Sequence, residues 1–400
     1  MRIGLVWKDD FPWDPRVDKI ARTLVRAGHE VHVLARNSRA AVSHEVIDGL
    51  PVHRLPALGN GYLNRASGTP VFFNPRWLAA IERLCREQRL DVLIARDMPL
   101  VLSCARAARR HGARLVFDMA ENYPAMWRGV NVAGRRSIGS MILKNPAVAD
   151  RLERRSLEAS DLVFVVVEES RERLLGLGVP GARIELVSNT PDLAALAASA
   201  AAGATERGAR ARAGGGATLL YQGFVNRPRG LHTVIEGLPL LLERHPATHV
   251  VIAGAGDYVE ALRELAVRLG VADHVELLGW VDHRQIPAMI RAADAGLVPH
   301  LYSDHTNTTV PNKIFDYMAE GRPVLVSHAR PLARITRAER CGLVFESGDP
   351  RSFAAAATAL LDDPNGAMEM GRRGLDAVRR EYNWERDAAR LTAAIATLAR

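Results

Sequence analysis

The stretch Thr306-Asn307-Thr308-Thr309-Val310-Pro311-Asn312-Lys313-Ile314-Phe315-Asp316-Tyr317-Met318-Ala319-Glu320-Gly321-Arg322-Pro323-Val324-Leu325-Val326 decides the fold. Small polar residues lead into an apolar-periodic segment, Pro311–Ala319, that reads as a helix. Glu320-Gly321 ends it, and Pro323–Val326 reads as a short buried strand. A further apolar run, Ala295–Val298, reads as the strand before the polar stretch. Strand, loop, helix and strand in this order build a parallel sheet covered by helices. Exposed N–H groups at the helix start favour an anion such as a pyrophosphate. Lys313 in the first turn is disfavoured by the helix dipole unless something negative is near. One turn on, Asp316 is suited to accept two hydrogen bonds from a ribose diol. The alternatives for both residues are a solvated lysine and a solvated carboxylate.

The same alternation runs outward in both directions. Ile3–Trp7 reads as a strand. Asp14 then caps a helix with Pro15 at its first position, carrying Val17, Ile20, Ala21, Leu24 and Val25 at helical spacing up to Ala27-Gly28. Glu30–Ala35, Asp91–Ala95, Arg114–Asp118 and Asp161–Val167 read as strands, with a helix at Leu100–Arg110. Leu193–Gly216 degenerates into Ala, Gly and Arg and reads as a linker, with a helix through its Ala run as the alternative. Alternation restarts with strands at Thr218–Gln222, Thr248–Ala253, Val275–Leu278 and Leu343–Phe345. Helices are expected at Gly230–Leu242, Asp257–Leu269 and Trp384–Leu398. The domains implied are 1–190 with 380–400, a linker at 191–217, and 218–379. Two such α/β halves are expected to bind a ligand in a cleft at the carboxyl ends of their strands.

Composition bounds the partners. The chain has 400 residues, 48% hydrophobic, with 53 Lys+Arg against 45 Asp+Glu, a net +8. That is enough apolar content for a folded core rather than disorder. Only Lys8, Lys19, Lys144 and Lys313 are lysines, so 53 − 4 leaves 49 arginines. Residues 51–150 hold 15 basic and 7 acidic side chains, and the other 300 residues hold 38 of each. A surplus confined to one segment argues against nucleic-acid binding and leaves an anionic membrane or acidic-substrate face open. No run approaches the ~20 apolar residues of a membrane span, and Met1–Trp7 turns charged too soon for a signal peptide. Cys85, Cys104 and Cys341 lie far apart, which suggests free thiols in a reducing compartment. His300, Asp304 and His305 come closest to a metal spacing but read as a polar loop, so no metal is expected.

A second constellation is Tyr221-Gln222-Gly223-Phe224-Val225-Asn226-Arg227-Pro228-Arg229-Gly230-Leu231. A strand ends in a glycine, and a turn then carries two arginines into a helix. Arginine forks bind phosphate bidentately and stay charged, as a leaving diphosphate requires. The alternative is surface arginines on a turn, but both clusters follow strands of the second half. Dinucleotide binding is disfavoured, because Trp7–Asp14 carries no glycine fingerprint after the first strand. Ala253-Gly254-Ala255-Gly256-Asp257 is only a weak match.

On these residues the chain resembles the retaining GT-B glycosyltransferases of family 4 over nearly its full length. Asp14-Pro15-Arg16-Val17 and Ala27-Gly28-His29-Glu30-Val31 resemble the family's opening helix and second strand. Leu115-Val116-Phe117-Asp118 through Glu121-Asn122-Tyr123-Pro124 resembles its aspartate–histidine–glutamate segment. Glu153–Ala159, Asp161-Leu162-Val163 and Leu186–Pro191 resemble the end of the first domain. Gly223 with Arg229-Gly230-Leu231 resembles the donor loop. Ile252–Gly256, Leu278-Gly279-Trp280-Val281 and Pro311–Ser327 complete the second domain.

The resemblance implies a second domain that binds a nucleotide-diphosphate sugar and a metal-free transfer with retained anomeric configuration. Arg229, helped by Arg227, and Lys313 would stabilise the diphosphate. Asp316 would hold the ribose, and Gly223, Thr308, Thr309, Pro311 and Asn312 would complete the donor site. Asp14, Arg16, Asp118, Glu121 and Asn122 would lie on the acceptor side, and the last helix would cross back to the first domain. The sequence departs from the family at four positions. The first of two glutamates spaced eight apart is Thr308, the second is Asp316, and the histidine position is Ala120. The arginine that follows the donor-loop glycine is Phe224 here, with Arg227 as a substitute.

Residues 57–77 carry Tyr62, Leu63, Val71, Phe72, Phe73 and Trp77 among Arg65 and Arg76. A segment near Asn131–Lys144 mixes Arg135, Arg136 and Lys144 with Ile138, Met141, Ile142 and Leu143. Such interleaving suits an anionic membrane, and the alternative is packing on the first domain. The expectation is a cytoplasmic hexosyltransferase, peripheral at the inner face of the cell membrane. Its donor is a nucleotide sugar and its acceptor a glycan or lipid-linked glycan, as in bacterial polysaccharide or glycolipid synthesis. The alternatives are a GT-B sugar-nucleotide epimerase or hydrolase, and an inactive nucleotide-sugar-binding scaffold.

Overall fold

The computed structural model of the chain describes residues 1–12, 14–38, 42–59, 71–132, 145–196 and 216–399. The described chain forms two compact units. One is Met1–Ser188 with Asp387–Arg400, and the other is Asn189–Arg386. Tyr62, Leu63, Arg65, the basic-apolar segment 133–144 and most of the expected linker, 197–215, lie outside the described residues.

The first unit holds eight strands. They are β1 (Arg2–Val6), β2 (Glu30–Ala35), β3 (His44–Ile47), β4 (Leu50–Arg54), β5 (Val92–Arg96), β6 (Arg114–Met119), β7 (Leu162–Val165) and β8 (Ile184–Leu186). Their order is β3-β4-β2-β1-β5-β6-β7-β8. All neighbours are parallel except β3 and β4. That edge hairpin was not anticipated, although Asp48-Gly49 marks it. Both residues have positive φ, 46° and 83°, which a two-residue hairpin turn of matching twist requires.

The helix Pro15–Arg26 forms as its spacing predicts. Asp14 caps it by accepting from the N–H groups of Arg16 and Val17, and it buries Val17, Ile20, Ala21 and Leu24. The helix Pro75–Gln88, capped by Asn74, buries Trp77 and Ile81 in the core of this unit. Val71 and Phe72 pack against the same core, and Phe72 meets the Trp127 ring at 5.6 Å. Of the aromatic residues expected to face a membrane, the described ones are therefore mostly committed to packing, with Phe73 left exposed.

The second unit holds β9 (Thr218–Gln222), β10 (His249–Ala253), β11 (Val275–Gly279), β12 (Ala295–Val298), β13 (Val324–Ser327) and β14 (Gly342–Phe345). The order is β11-β10-β9-β12-β13-β14, all parallel. Each fully buried strand reads as an apolar run, as a sheet covered on both faces demands. In both sheets the winding reverses beside the first strand of the unit. The chain moves outward from β1 through β2 and returns to β5, and it moves outward from β9 through β10 and β11 and returns to β12. The crevice at the carboxyl end of such a reversal is where open α/β sheets bind ligands.

The glycine pair after β10 has a packing cause. Gly223 and Val225 donate to the carbonyls of Ala253 and Ala255 at 2.9 and 3.0 Å, so the turn after β9 lies directly on Gly254 and Gly256. A Cβ on Gly254 would sit 1.8 Å from the Gly223 carbonyl oxygen, and one on Gly256 would sit 1.8 Å from that of Val225. The weak dinucleotide fingerprint is thus a backbone contact that shapes the donor-loop candidate. Gly256→Ala should cost about 1–3 kcal/mol through forced backbone movement. The check is thermal unfolding, with a fall of roughly 2–4 °C for each kcal/mol lost. An unchanged transition would contradict the contact.

Candidate functional site

At the β9–β12 reversal the turn Arg227–Arg229 is clamped onto the end of β12. Leu301 N–H donates to the Pro228 carbonyl at 2.9 Å. Gly230, at φ 72°, approaches so closely that a Cβ would lie 1.9 Å from the Pro299 carbonyl oxygen. Arg229 is thereby held against His300, while Arg227 stays exposed. The helix Lys313–Ala319 begins two residues later than its spacing predicts, with Asn312 before it already in helical φ/ψ and making no side-chain cap.

Lys313 is not a solvated lysine. Only 8% of it is exposed, and its Nζ stands 3.8 Å from the centre of the Tyr221 ring. Gly223, at φ 116°, leaves room for it: a Cβ there would be 3.3 Å from Nζ. Burial and then the Arg229 charge push the ammonium well below the usual lysine range, with Asp316 opposing them. Among the described residues, neither Lys313 nor Arg229 forms an ion pair with a carboxylate. Two cations brought together in a buried crevice without a carboxylate partner make a site for an anion.

The other residues expected to bind the donor lie on the same helix and on the loop before it. Asp316 Oδ2 accepts from Gln222 Nε2 at 2.8 Å. The Tyr317 hydroxyl ties the same helix to β9, donating to Leu220 O at 3.0 Å and accepting from Gln222 N–H at 3.0 Å. The Thr308 hydroxyl donates to the Asp304 carbonyl at 2.8 Å, and that of Thr309 to the His305 carbonyl at 3.1 Å. Both threonines therefore brace the polar loop. Pro311 is half-buried and Asn312 exposed at the head of the helix. His300, Tyr221 and Gln222 were not singled out as site residues in sequence. The usable signal was that each lies within two residues of a strand end beside the reversal.

The β1–β5 reversal of the first unit is built on buried charge. Arg16, 4% exposed, meets Asp118, 0% exposed, through Nε at 3.1 and 3.0 Å and through Nη2 at 2.6 Å, and it donates from Nη1 to Ser188 O at 2.9 Å. Arg96 joins Asp97 at 2.7 Å and Asp14 at 3.3 Å, and its guanidinium lies 5.4 Å from the Trp7 ring centre. Asp14, Arg16 and Asp118 thus tie the first helix to β5 and β6. Asn122 accepts from Ala125 N–H at 3.2 Å and starts the helix Tyr123–Val132. Glu121 is half-buried beside the cluster.

Sequence reading missed Asp97. It sits at φ 63° and ψ 161°, a region open almost only to glycine, so its backbone is strained. Burial, opposed by Arg96 and reinforced by Glu121 and Asp118, pushes its carboxyl up to about 7. No signal in the sequence marks such strain.

Residues 14–190 match the family described as glycosyl transferase 4-like domain, and residues 216–363 match glycosyl transferases group 1. A GDP-mannose-dependent alpha-(1-6)-phosphatidylinositol monomannoside mannosyltransferase of Mycobacterium tuberculosis is 29% identical over 330 residues, 82% of this chain and 81% of that protein. The glycogen synthase of the same organism is 28% identical over 171 residues, 43% of this chain, and the match spans 40% of that enzyme. The solved sucrose-phosphate synthase of Thermosynechococcus elongatus superposes with a TM-score of 0.80 at 19% identity, over 100% of this chain and 99% of that one.

The raised Asp97 carboxyl makes a pH prediction. The folded chain keeps a proton there from the ordinary carboxylate value of 3.8 up to about 7, whereas the unfolded chain has released it. Stability contributed by this group therefore falls as pH rises through that window. Asp97→Asn should lose less melting temperature between pH 5 and pH 8 than the wild type. Parallel profiles would contradict the assignment.

Proposed function

The chain belongs to the family-4, group 1 glycosyltransferases of the GT-B fold, and on that premise we propose that it is a retaining hexosyltransferase. It moves a sugar from a nucleotide-diphosphate donor to a glycan or lipid-linked acceptor, in the synthesis of a bacterial polysaccharide or glycolipid. The observation that carries this reading is the Arg229–Lys313 pair, two cations without a carboxylate partner at the β9–β12 reversal. The name of the mycobacterial mannosyltransferase, a GDP-mannose-dependent enzyme acting on a phosphatidylinositol mannoside, supports both the donor class and a glycolipid acceptor.

In this mechanism Arg229 and Lys313 take the charge that grows on the leaving diphosphate. Asp316, aimed by Gln222, accepts from the ribose hydroxyls. Backbone groups at Gly223 and at Thr308–Asn312 line the phosphates and sugar, and exposed Arg227 adds positive potential. Two fixed cations supply what a metal ion would otherwise supply, so no metal is assigned. On the acceptor side, half-buried Glu121 is placed to meet a hydroxyl, with Asn122 fixing the helix that follows it. Asp14, Arg16 and Asp118 hold that surface in shape. Among the described residues no helix is long and apolar enough to cross a membrane. The proposed location is cytoplasmic, peripheral at the inner membrane face, with no nucleic-acid partner.

A thermal-shift panel of nucleotide sugars tests the donor site, because a ligand at 100 times its Kd raises stability by about 2.7 kcal/mol. At least one UDP- or GDP-sugar should raise the melting temperature, and Arg229→Ala and Lys313→Ala should each abolish that rise. Full donor affinity and turnover in both variants would overturn the assignment. Release of free sugar or an epimerised nucleotide from donor alone would instead favour the hydrolase or epimerase reading.

Membrane attachment has its own check. Sedimentation with phosphatidylglycerol vesicles at low salt and release at high salt is expected. Equal binding to phosphatidylcholine vesicles, or no binding to either, would remove the membrane from the account.

A further inference from the structure

His300 lies one residue beyond Pro299, at the point where the Arg227–Gly230 turn is clamped onto β12. It is 2% exposed. Its carbonyl accepts from the hydroxyls of Ser327 and Ser347, so the backbone is fixed from the ends of β13 and β14. Its ring meets Arg229, whose Nη1 is 3.3 Å from both ring nitrogens. The charged and titratable groups acting on the ring are Arg229 from the turn after β9, Lys313 from the helix start and His305 from the polar loop. No carboxylate is among them.

This surrounding decides the state of the ring. Burial first, then Arg229, Lys313 and His305, keep the imidazole neutral, well below its usual range. One Nη1 equidistant from both ring nitrogens lies over the ring and not along a lone pair, so the neutral imidazole offers its π face to the guanidinium. An aspartate in the same place would hold Arg229 more strongly. It would also neutralise the charge that an incoming anion needs. A leucine would put hydrocarbon where the guanidinium now meets a polar ring face. A neutral histidine fixes the arginine and leaves its charge available.

We propose that His300 is a positioning residue for the donor diphosphate: its imidazole holds the Arg229 guanidinium beside Lys313 so that both cations address one anion. This rests on the donor-site reading above, and the experiment separates the two. Calorimetric binding of UDP, GDP and inorganic pyrophosphate is compared in wild type, His300→Leu, His300→Gln and Arg229→Ala.

The expected result is a Kd for the nucleoside diphosphate at least tenfold higher in His300→Leu. Recovery to within about threefold of wild type is expected in His300→Gln, whose planar amide keeps a polar face for the guanidinium. In the Arg229→Ala background the leucine change should add nothing, because its effect runs through the arginine. Purely structural damage would lower the apo melting temperature, and its effect would add to that of Arg229→Ala. Additivity, or a Kd in His300→Leu within twofold of wild type while Arg229→Ala loses binding, would overturn the proposal. If His300→Leu does not fold, His300→Met carries the same comparison. Failure of all three probes to bind the wild type would overturn the donor-site reading itself.

Discussion

Two positive charges brought together in a low-dielectric crevice without a carboxylate to pair them is the constraint on which the second unit depends. Burial and mutual repulsion depress the Lys313 ammonium. Three local features oppose the repulsion. The face of the Tyr221 ring lies under Nζ, a neutral His300 lies against Arg229, and Asp316 exerts a more distant attraction. Each is weaker than a direct ion pair. The arrangement therefore holds its cations in place without cancelling them, which is what a diphosphate site requires.

The first unit meets the same topological position with the opposite electrostatics. Its crevice lies between β1 and β5, and there Arg16 and Arg96 are joined to Asp14, Asp97 and Asp118 at 2.6–3.6 Å. Two guanidinium groups face three carboxylates, and burial pushes the carboxyl of strained Asp97 up to about 7. Breaking one partner of such a buried pair costs more than the pair itself contributes, so these residues fix the shape of the crevice. Part of the cationic surplus of residues 51–150 is also paired with acids outside that segment, since Arg54 meets Glu45 and Arg114 meets Asp161.

The strand–helix alternation was legible because each fully buried parallel strand must be an apolar run, and several helices open on a capping Asp or Asn with proline behind it. Asp14-Pro15 and the runs at β1, β6, β9 and β12 all follow that rule. The β3–β4 hairpin escaped because its strands are short and half polar, although its Asp48-Gly49 turn was in plain view. Within the site, Arg229, Lys313 and Asp316 stood out by their order after strands. Lys313 as a buried residue did not, since burial of a single lysine depends on Gly223 and Tyr221 from another strand. The positioning contact of His300 depends on a clamp between Gly230 and Pro299, which are far apart in sequence. The strain at Asp97 is a property of the folded backbone alone.

With only four lysines in the chain, the central claim can be read at one atom. Labelling with lysine carrying carbon-13 at Cε, and assigning Lys313 by its loss in Lys313→Arg, allows its titration to be followed by NMR. The account predicts that this signal titrates well below the free-lysine value of about 10.4, and that adding UDP or GDP moves its titration upward as the anion favours the charged form. Titration at the free-lysine value, indifferent to either nucleotide, would contradict it.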